Sequence, residues 1–175
     1  VNMRAYKRTE TLLEQLNCRD SLTGLYKYDY FINKVNEYCS NIFKDIMNLE
    51  KFKSYTDGRG KLNVAQLDEL SRDFSIKRVF WITDVPEGAI RGEHANRECT
   101  ELLVAARGSV SLWLTDGKEE WTVTLSDPSQ GLYIPPMVWC RLYDFSSDAT
   151  ILCMADREYE PEHYINDYQQ FLNEL

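Results

Sequence analysis

Between Gly88 and Gly108 the chain reads GAIRGEHANRECTELLVAARG, and the intervals within that run restrict the fold more than any other feature of the sequence. Five residues separate Gly88 from His94, one separates His94 from Asn96, four lead on to Glu101, and six more reach Gly108. Strand side chains alternate between faces, so His94 and Asn96 share one face, and Glu101 reaches the same cavity once the strand bends or bulges. A second run, GLYIPPMVWC from Gly131 to Cys140, places Pro-Pro three residues after its glycine. Each run is a glycine turn feeding a strand. Paired glycine turns of this kind predict an antiparallel β architecture.

The pattern on either side supports that architecture. Runs rich in branched and aromatic residues predict strands at Lys61 to Leu67, Ile76 to Thr83, Leu102 to Ala106 and Val110 to Leu114. Further strands are predicted at Glu120 to Leu125, Leu132 to Ile134, Val138 to Tyr143 and Thr150 to Ala155, with Asp116-Gly117 as a hairpin signal. Helical spacing occurs before and after this block. It predicts helices at Arg4 to Leu16, around Tyr30 to Tyr38, and from Asn41 to Phe52, and a last helix from Glu162 to Leu175. The composition shifts at Ser54 to Leu62, and the boundary is placed near Lys51. A helical segment, 1–50, then precedes a barrel domain, 51–175.

Charge and cysteine usage narrow the class of partner. The net charge is −8, with acidic residues concentrated after Asp144, which argues against a nucleic-acid backbone as ligand. Five cysteines form no CxxC pair and leave an odd one, and no apolar run reaches membrane-spanning length. The expectation is a cytoplasmic protein with no membrane or nucleic-acid partner. A metal site of three imidazoles cannot be assembled from the chain's two histidines, His94 and His163, so neither a metal nor another cofactor is expected.

The two glycine runs resemble the paired motifs of cupins, with Cys140 where the second motif often carries a histidine. The resemblance sharpens over separate blocks: DGRGKL (Asp57 to Leu62), FSIKRVFWI (Phe74 to Ile82), RGEHAN (Arg91 to Asn96), GSVSLWLTDG (Gly108 to Gly117), DFSSDA (Asp144 to Ala149) and DYQQF (Asp167 to Phe171). In these the chain is similar to the WxcM-like cupins, the dTDP-4-keto-6-deoxyglucose 3,4-ketoisomerases. The resemblance implies a mainly β, RmlC-like jelly-roll barrel, a dTDP-sugar ligand and a homodimer. A shorter run, with Asp20, Leu22, Thr23, Gly24, Leu25 and Phe31, resembles the opening of a GGDEF domain; no Gly-Gly-acidic signature follows it.

By the same resemblance, the family's proton-transferring base is the second histidine of an H-A-H triplet, which here reads His94-Ala95-Asn96. A carboxamide has no useful proton affinity near neutral pH, so Asn96 can orient a hydroxyl but cannot shuttle a proton. His94, Asn96 and Cys140 are the catalytic candidates, Cys140 only as a thiolate of lowered pKa; Tyr133 or Tyr143 would need the same lowering. Arg78 and Arg91 are candidates for a pyrophosphate. Tyr133, Trp81 and Trp139 could form an aromatic wall, and Glu101 faces the cavity with Arg141 as its candidate partner. The expected function is a nucleotide-sugar 3,4-ketoisomerase-like barrel whose usual base is replaced. The alternative is a non-catalytic module for nucleotide-sugar binding, regulation or interaction.

Overall fold

The computed structural model describes residues 49–70 and 74–175. The helices expected before residue 49, and the GGDEF-like run within them, lie outside the described residues. Strands dominate the remainder: β1 Glu50–Lys51, β2 Lys53–Asp57, β3 Gly60–Val64, β4 Arg78–Ile82, β5 Arg91–Asn96, β6 Glu101–Arg107, β7 Val110–Thr115, β8 Glu120–Leu125, β9 Gln130–Ile134, β10 Trp139–Tyr143, β11 Thr150–Ala155 and β12 Tyr164–Ile165, before helix α1, Tyr168–Glu174. They form two five-stranded sheets, ordered β1-β9-β6-β11-β4 and β12-β5-β10-β7-β8, with β2 and β3 as a separate hairpin. All the pairings are antiparallel. This is the mainly β jelly-roll barrel with a C-terminal helix that the strand pattern predicts.

Alternation explains which side chains fill the barrel. Along β7, Val110, Leu112 and Leu114 are buried, whereas Ser111 and Trp113 on the opposite face are only half-buried. The β7–β8 turn is held by Asp116, whose Oδ1 accepts from the backbone N–H groups of Lys118 and Glu119 at 2.9 and 2.8 Å. A second apolar layer covers the outer face of the β9-β6-β11 region. Phe74, Leu102, Val104, Tyr133 and Met154 cluster there, with Phe52, Leu70, Ile76 and Leu152 packed against them. Phe52 lies so close over Gly131 that a Cβ there would come within 2.8 Å of its ring, which is why the second residue of β9 is a glycine.

Two expectations are corrected at the ends of the described chain. Helical spacing from Asn41 to Phe52 does not survive at its C-terminal end, since Glu50 and Lys51 pair with Gly131 and Gln130 of β9, and Phe52 N donates to Ser129 O at 2.8 Å. The open edge of β9 supplies backbone partners, and Phe52 gains an apolar layer to pack on, so tertiary contact overrides local periodicity. The final helix is likewise shorter than Glu162 to Leu175. Pro161–His163 forms one tight 3₁₀ turn, Tyr164 and Ile165 pair with Asn96 and Ala95 of β5, and α1 starts only after Asp167, whose carboxylate accepts from Gln170 N at 2.7 Å.

That helix closes the outer face of the second sheet. Phe171, fully buried, joins Ala95, Trp139 and Ile165, while Tyr168 meets Trp139 edge-on at a ring-centroid separation of 5.1 Å. Arg97 ties the helix down. Its guanidinium makes two bonds to the Glu174 carboxylate at 2.8 and 2.6 Å and donates to the Glu162 carbonyl.

Candidate active site

The inner faces of both sheets converge on a narrow cavity lined by His94, Asn96, Cys99, Glu101, Ile134, Pro135, Val138 and Cys140. It has room for about one water molecule, so only the edge of a larger ligand can enter it. His94 and Asn96 come from β5, and Cys140 lies directly opposite His94 on β10. Glu101 opens β6 in the facing sheet. The spacing read between Gly88 and Gly108 therefore does bring positions 94, 96 and 101 to one cavity, together with Cys140. The approach of β5 to β10 depends on Gly92, which has φ +78° and no room for a Cβ, because one would lie 2.8 Å from the Cys140 carbonyl oxygen.

Asn96 is buried, and its carboxamide oxygen is committed to the backbone. Its Oδ1 accepts from Glu98 N at 3.2 Å and from Cys99 N at 3.0 Å, holding the turn that carries the chain from β5 to β6. Asp156 braces the far side of this turn, accepting from Thr100 N at 2.9 Å. The turn takes up the oxygen, which leaves the amide N–H groups as the part of Asn96 able to orient a hydroxyl.

Glu101 is the buried charge of the site, with its side chain 12% exposed. Arg78 on β4 lies in register with Ala155, and Ala155 with Glu101, so the short alanine lets the guanidinium reach across to Glu101 Oε1 at 3.4 Å. Burial pushes the Glu101 carboxyl above its usual range, offset by the charges of His94 and Arg78 and reinforced by Asp156. Arg78 is 18% exposed and donates from Nη2 to the Tyr164 hydroxyl at 2.8 Å, with Phe80 and Tyr159 rings beside the guanidinium. Tyr164 in turn rests against the His94 ring at 5.1 Å and against Tyr159 at 5.3 Å. Neither Tyr159 nor Tyr164 is among the site residues expected from sequence, where Tyr164 figures only in the helical spacing of the acidic tail.

Several expected roles do not fit this arrangement. Burial raises the Cys140 thiol well above its ordinary value, with Glu101 and Cys153 adding to the shift, so it stays protonated and cannot serve as a thiolate base. Tyr133 points out of the cavity into the Phe74 layer, with the two rings edge-on at 5.5 Å. Trp139 is buried beneath α1 on the outer face, and Trp81 is 66% exposed on β4, so these three aromatics form no wall. Arg141 does not meet Glu101: it lies on the outer face, bonds Glu93 at 3.0 Å and stacks near Trp113, while Glu101 is served by Arg78. Arg91 is exposed and does not line the cavity, and Tyr143 lines a separate surface depression with Trp113 and Arg141. Among the described residues, no three His, Cys, Asp or Glu side chains converge as a metal-binding set.

A barrel with an enclosed histidine and carboxyl at its mouth defines a small-molecule cupin, and the comparisons give the family. The FdtA family, described as WxcM-like, C-terminal, matches residues 45–175, and the chain belongs to it. A TDP-4-oxo-6-deoxy-alpha-D-glucose-3,4-oxoisomerase of Aneurinibacillus thermoaerophilus is 39% identical over 120 residues, spanning 69% of this chain and 86% of that one. The crystal structure of QdtA, a sugar 3,4-ketoisomerase from Thermoanaerobacterium thermosaccharolyticum in complex with TDP, is similar with a TM-score of 0.69 and 35% identity, covering 73% of this chain and 92% of that chain. A histidine-to-asparagine mutant of QdtA in complex with TDP-4-keto-6-deoxyglucose matches with the same TM-score and identity over 73% and 91% of the two chains.

Proposed function

We propose that this chain binds a TDP-linked 4-keto-6-deoxyhexose at the barrel mouth and exchanges the keto group between C4 and C3 with His94 as its single imidazole. The relatives are 3,4-ketoisomerases of TDP-sugars, and the family match spans residues 45–175. The observation that carries the reading is the pairing in one cavity of an imidazole from β5 and a buried carboxyl from β6. Imidazole is the side chain whose ordinary pKa suits proton abstraction beside a carbonyl near neutral pH. A mutant relative with asparagine in place of one histidine still holds TDP-4-keto-6-deoxyglucose, which supports sugar binding by a chain of this family that has one histidine fewer.

A second reading, a nucleotide-sugar-binding module without turnover, is favoured by the Asn96 turn, because position 96 offers no proton carrier. One experiment separates the two. TDP and TDP-4-keto-6-deoxyglucose are added in a thermal-shift assay, and the sugar is then followed by proton NMR for the 3-keto product. A ligand that binds only the folded barrel raises its melting temperature. A shift with product, abolished by His94→Gln, is the expected result. A shift without product leaves the binding module, and no shift with either ligand removes both readings.

A further inference from the structure

We propose that Glu101 is the second proton carrier of this pocket, passing protons between the oxygens on C3 and C4 of the keto sugar while His94 moves the carbon-bound proton. The assignment rests on the keto-sugar reading above and deepens it. Of the eight residues that line the cavity, Ile134, Pro135 and Val138 carry no side-chain protons to exchange, Cys99 and Cys140 are buried thiols, and the Asn96 oxygen is spent on the turn. His94 and Glu101 are what remains.

They enter from facing sheets, His94 on β5 and Glu101 on β6, so a ring edge lodged between them meets the imidazole on one side and the carboxyl on the other. The contact from Arg78 to Glu101 Oε1 is long, at 3.4 Å, and the guanidinium's shorter bond goes to Tyr164 at 2.8 Å. The carboxyl is thus held in place without being gripped by a bidentate ion pair. Burial also favours its protonated form, the form able to donate to a carbonyl oxygen.

The chemistry balances with these two groups alone. His94 takes the proton from C3, and the C3–H electron pair becomes the C3=C4 bond of an enediol as the C4 carbonyl oxygen receives the Glu101 proton. The carboxylate so formed takes the proton of the C3 hydroxyl as C3=O forms, and the imidazolium returns its proton to C4. The ketone has moved from C4 to C3, both protein groups are restored, and nothing has been oxidised or reduced. A carboxyl suits the oxygen-to-oxygen leg because one of its oxygens can donate while the other accepts.

The test compares wild type, Glu101→Gln and Glu101→Asp in the NMR assay, with the thermal shift by TDP confirming that each variant is folded. Glu101→Gln keeps the shape and can still donate a hydrogen bond, but it cannot relay a proton. It is expected to keep the TDP shift and a KM within about twofold while kcat falls by about 10²-fold or more. Glu101→Asp, which keeps the acid but withdraws it by one methylene, is expected to fall between the two. Glu101→Gln within threefold of wild-type kcat overturns the assignment and leaves the ketoisomerase reading intact. If Glu101→Gln does not fold, Glu101→Asp at wild-type kcat overturns it equally. A wild-type protein that binds the sugar without turnover overturns it too, whereas one that binds neither TDP nor the sugar overturns the reading beneath it.

Discussion

Arg78 donates from Nη2 to the Tyr164 hydroxyl at 2.8 Å, and that bond joins β4 at the edge of one sheet to β12 at the edge of the other. The Tyr164 ring then backs the His94 imidazole, so the seam of the barrel and one wall of the site share a fastening. Removing the hydroxyl and removing the guanidinium are different perturbations. Tyr164→Phe keeps the ring contact and loses one hydrogen bond, for an expected loss of about 1 kcal/mol. Arg78→Ala also strips Glu101 of its neutralising charge and is expected to cost about 3 kcal/mol. Urea unfolding of both variants and the double mutant measures this, and strictly additive losses would show that the bond contributes nothing.

The pH dependence of stability should carry a signature of Glu101. Because burial raises this carboxyl, the folded state holds its proton more tightly than the unfolded state, whose value is about the ordinary 4.5. Its contribution is unchanged below that value and becomes progressively unfavourable as pH rises toward the raised folded value. Asp57, Asp148 and Glu174 act in the opposite sense: each is lowered by its bonded partners, so each stabilises above the ordinary carboxylate range and loses that contribution as pH falls. The stability difference between Glu101→Gln and wild type should therefore shift in favour of the variant between pH 4 and pH 8. Urea midpoints measured across that range check the sign, and a constant difference would remove burial as the cause.

Helix α1 is held by one buried side chain more than by its own length. Phe171 is fully buried against Trp139, Ala95 and Ile165, and a seven-residue helix has little stability alone. Phe171→Ala is expected to cost about 3–5 kcal/mol and to expose Trp139, read as a red-shifted tryptophan emission before global unfolding. Arg97→Met, which removes the paired bonds to Glu174, is expected to cost only about 1 kcal/mol because both partners are partly exposed. Equal losses from the two would mean that the charge pair, not the apolar contact, seats the helix.

What the sequence made legible follows from where information is local. Strands β7, β8, β10 and β11 announce themselves by alternation and by turn residues such as Asp116-Gly117, and strand parity was enough to put His94 and Asn96 on one face. Tyr133 was not assignable in that way. Its neighbours Leu132 and Ile134 face the interior, but the outer face of β9 is also buried, under Phe52 and Phe74, so polarity does not distinguish inside from outside along this strand. Tyr164 is missed and Arg141 given the wrong partner for a related reason: their partners, Arg78 and Glu93, stand 86 and 48 residues away in the chain. Only the register of the sheets brings them together.

Asn96 serves the fold at a position inside the site cavity. Its Oδ1 has two lone pairs and accepts two backbone donors, Glu98 N and the buried Cys99 N. A histidine at this position can take up a proton at Nε2 only with its own proton on Nδ1, and in that tautomer neither backbone donor keeps its acceptor. Asn96→His is therefore expected to lose about 2 kcal/mol, or about 8 °C in melting temperature for a domain of this size. It should raise turnover of the keto sugar by about 10²-fold, the scale of an added acid–base group. Calorimetry and the NMR assay on the same preparation read both effects. A variant that gains activity without losing stability would show that the Asn96 turn does not depend on the carboxamide, and one that loses stability without gaining activity would show that position 96 is not where a proton is needed.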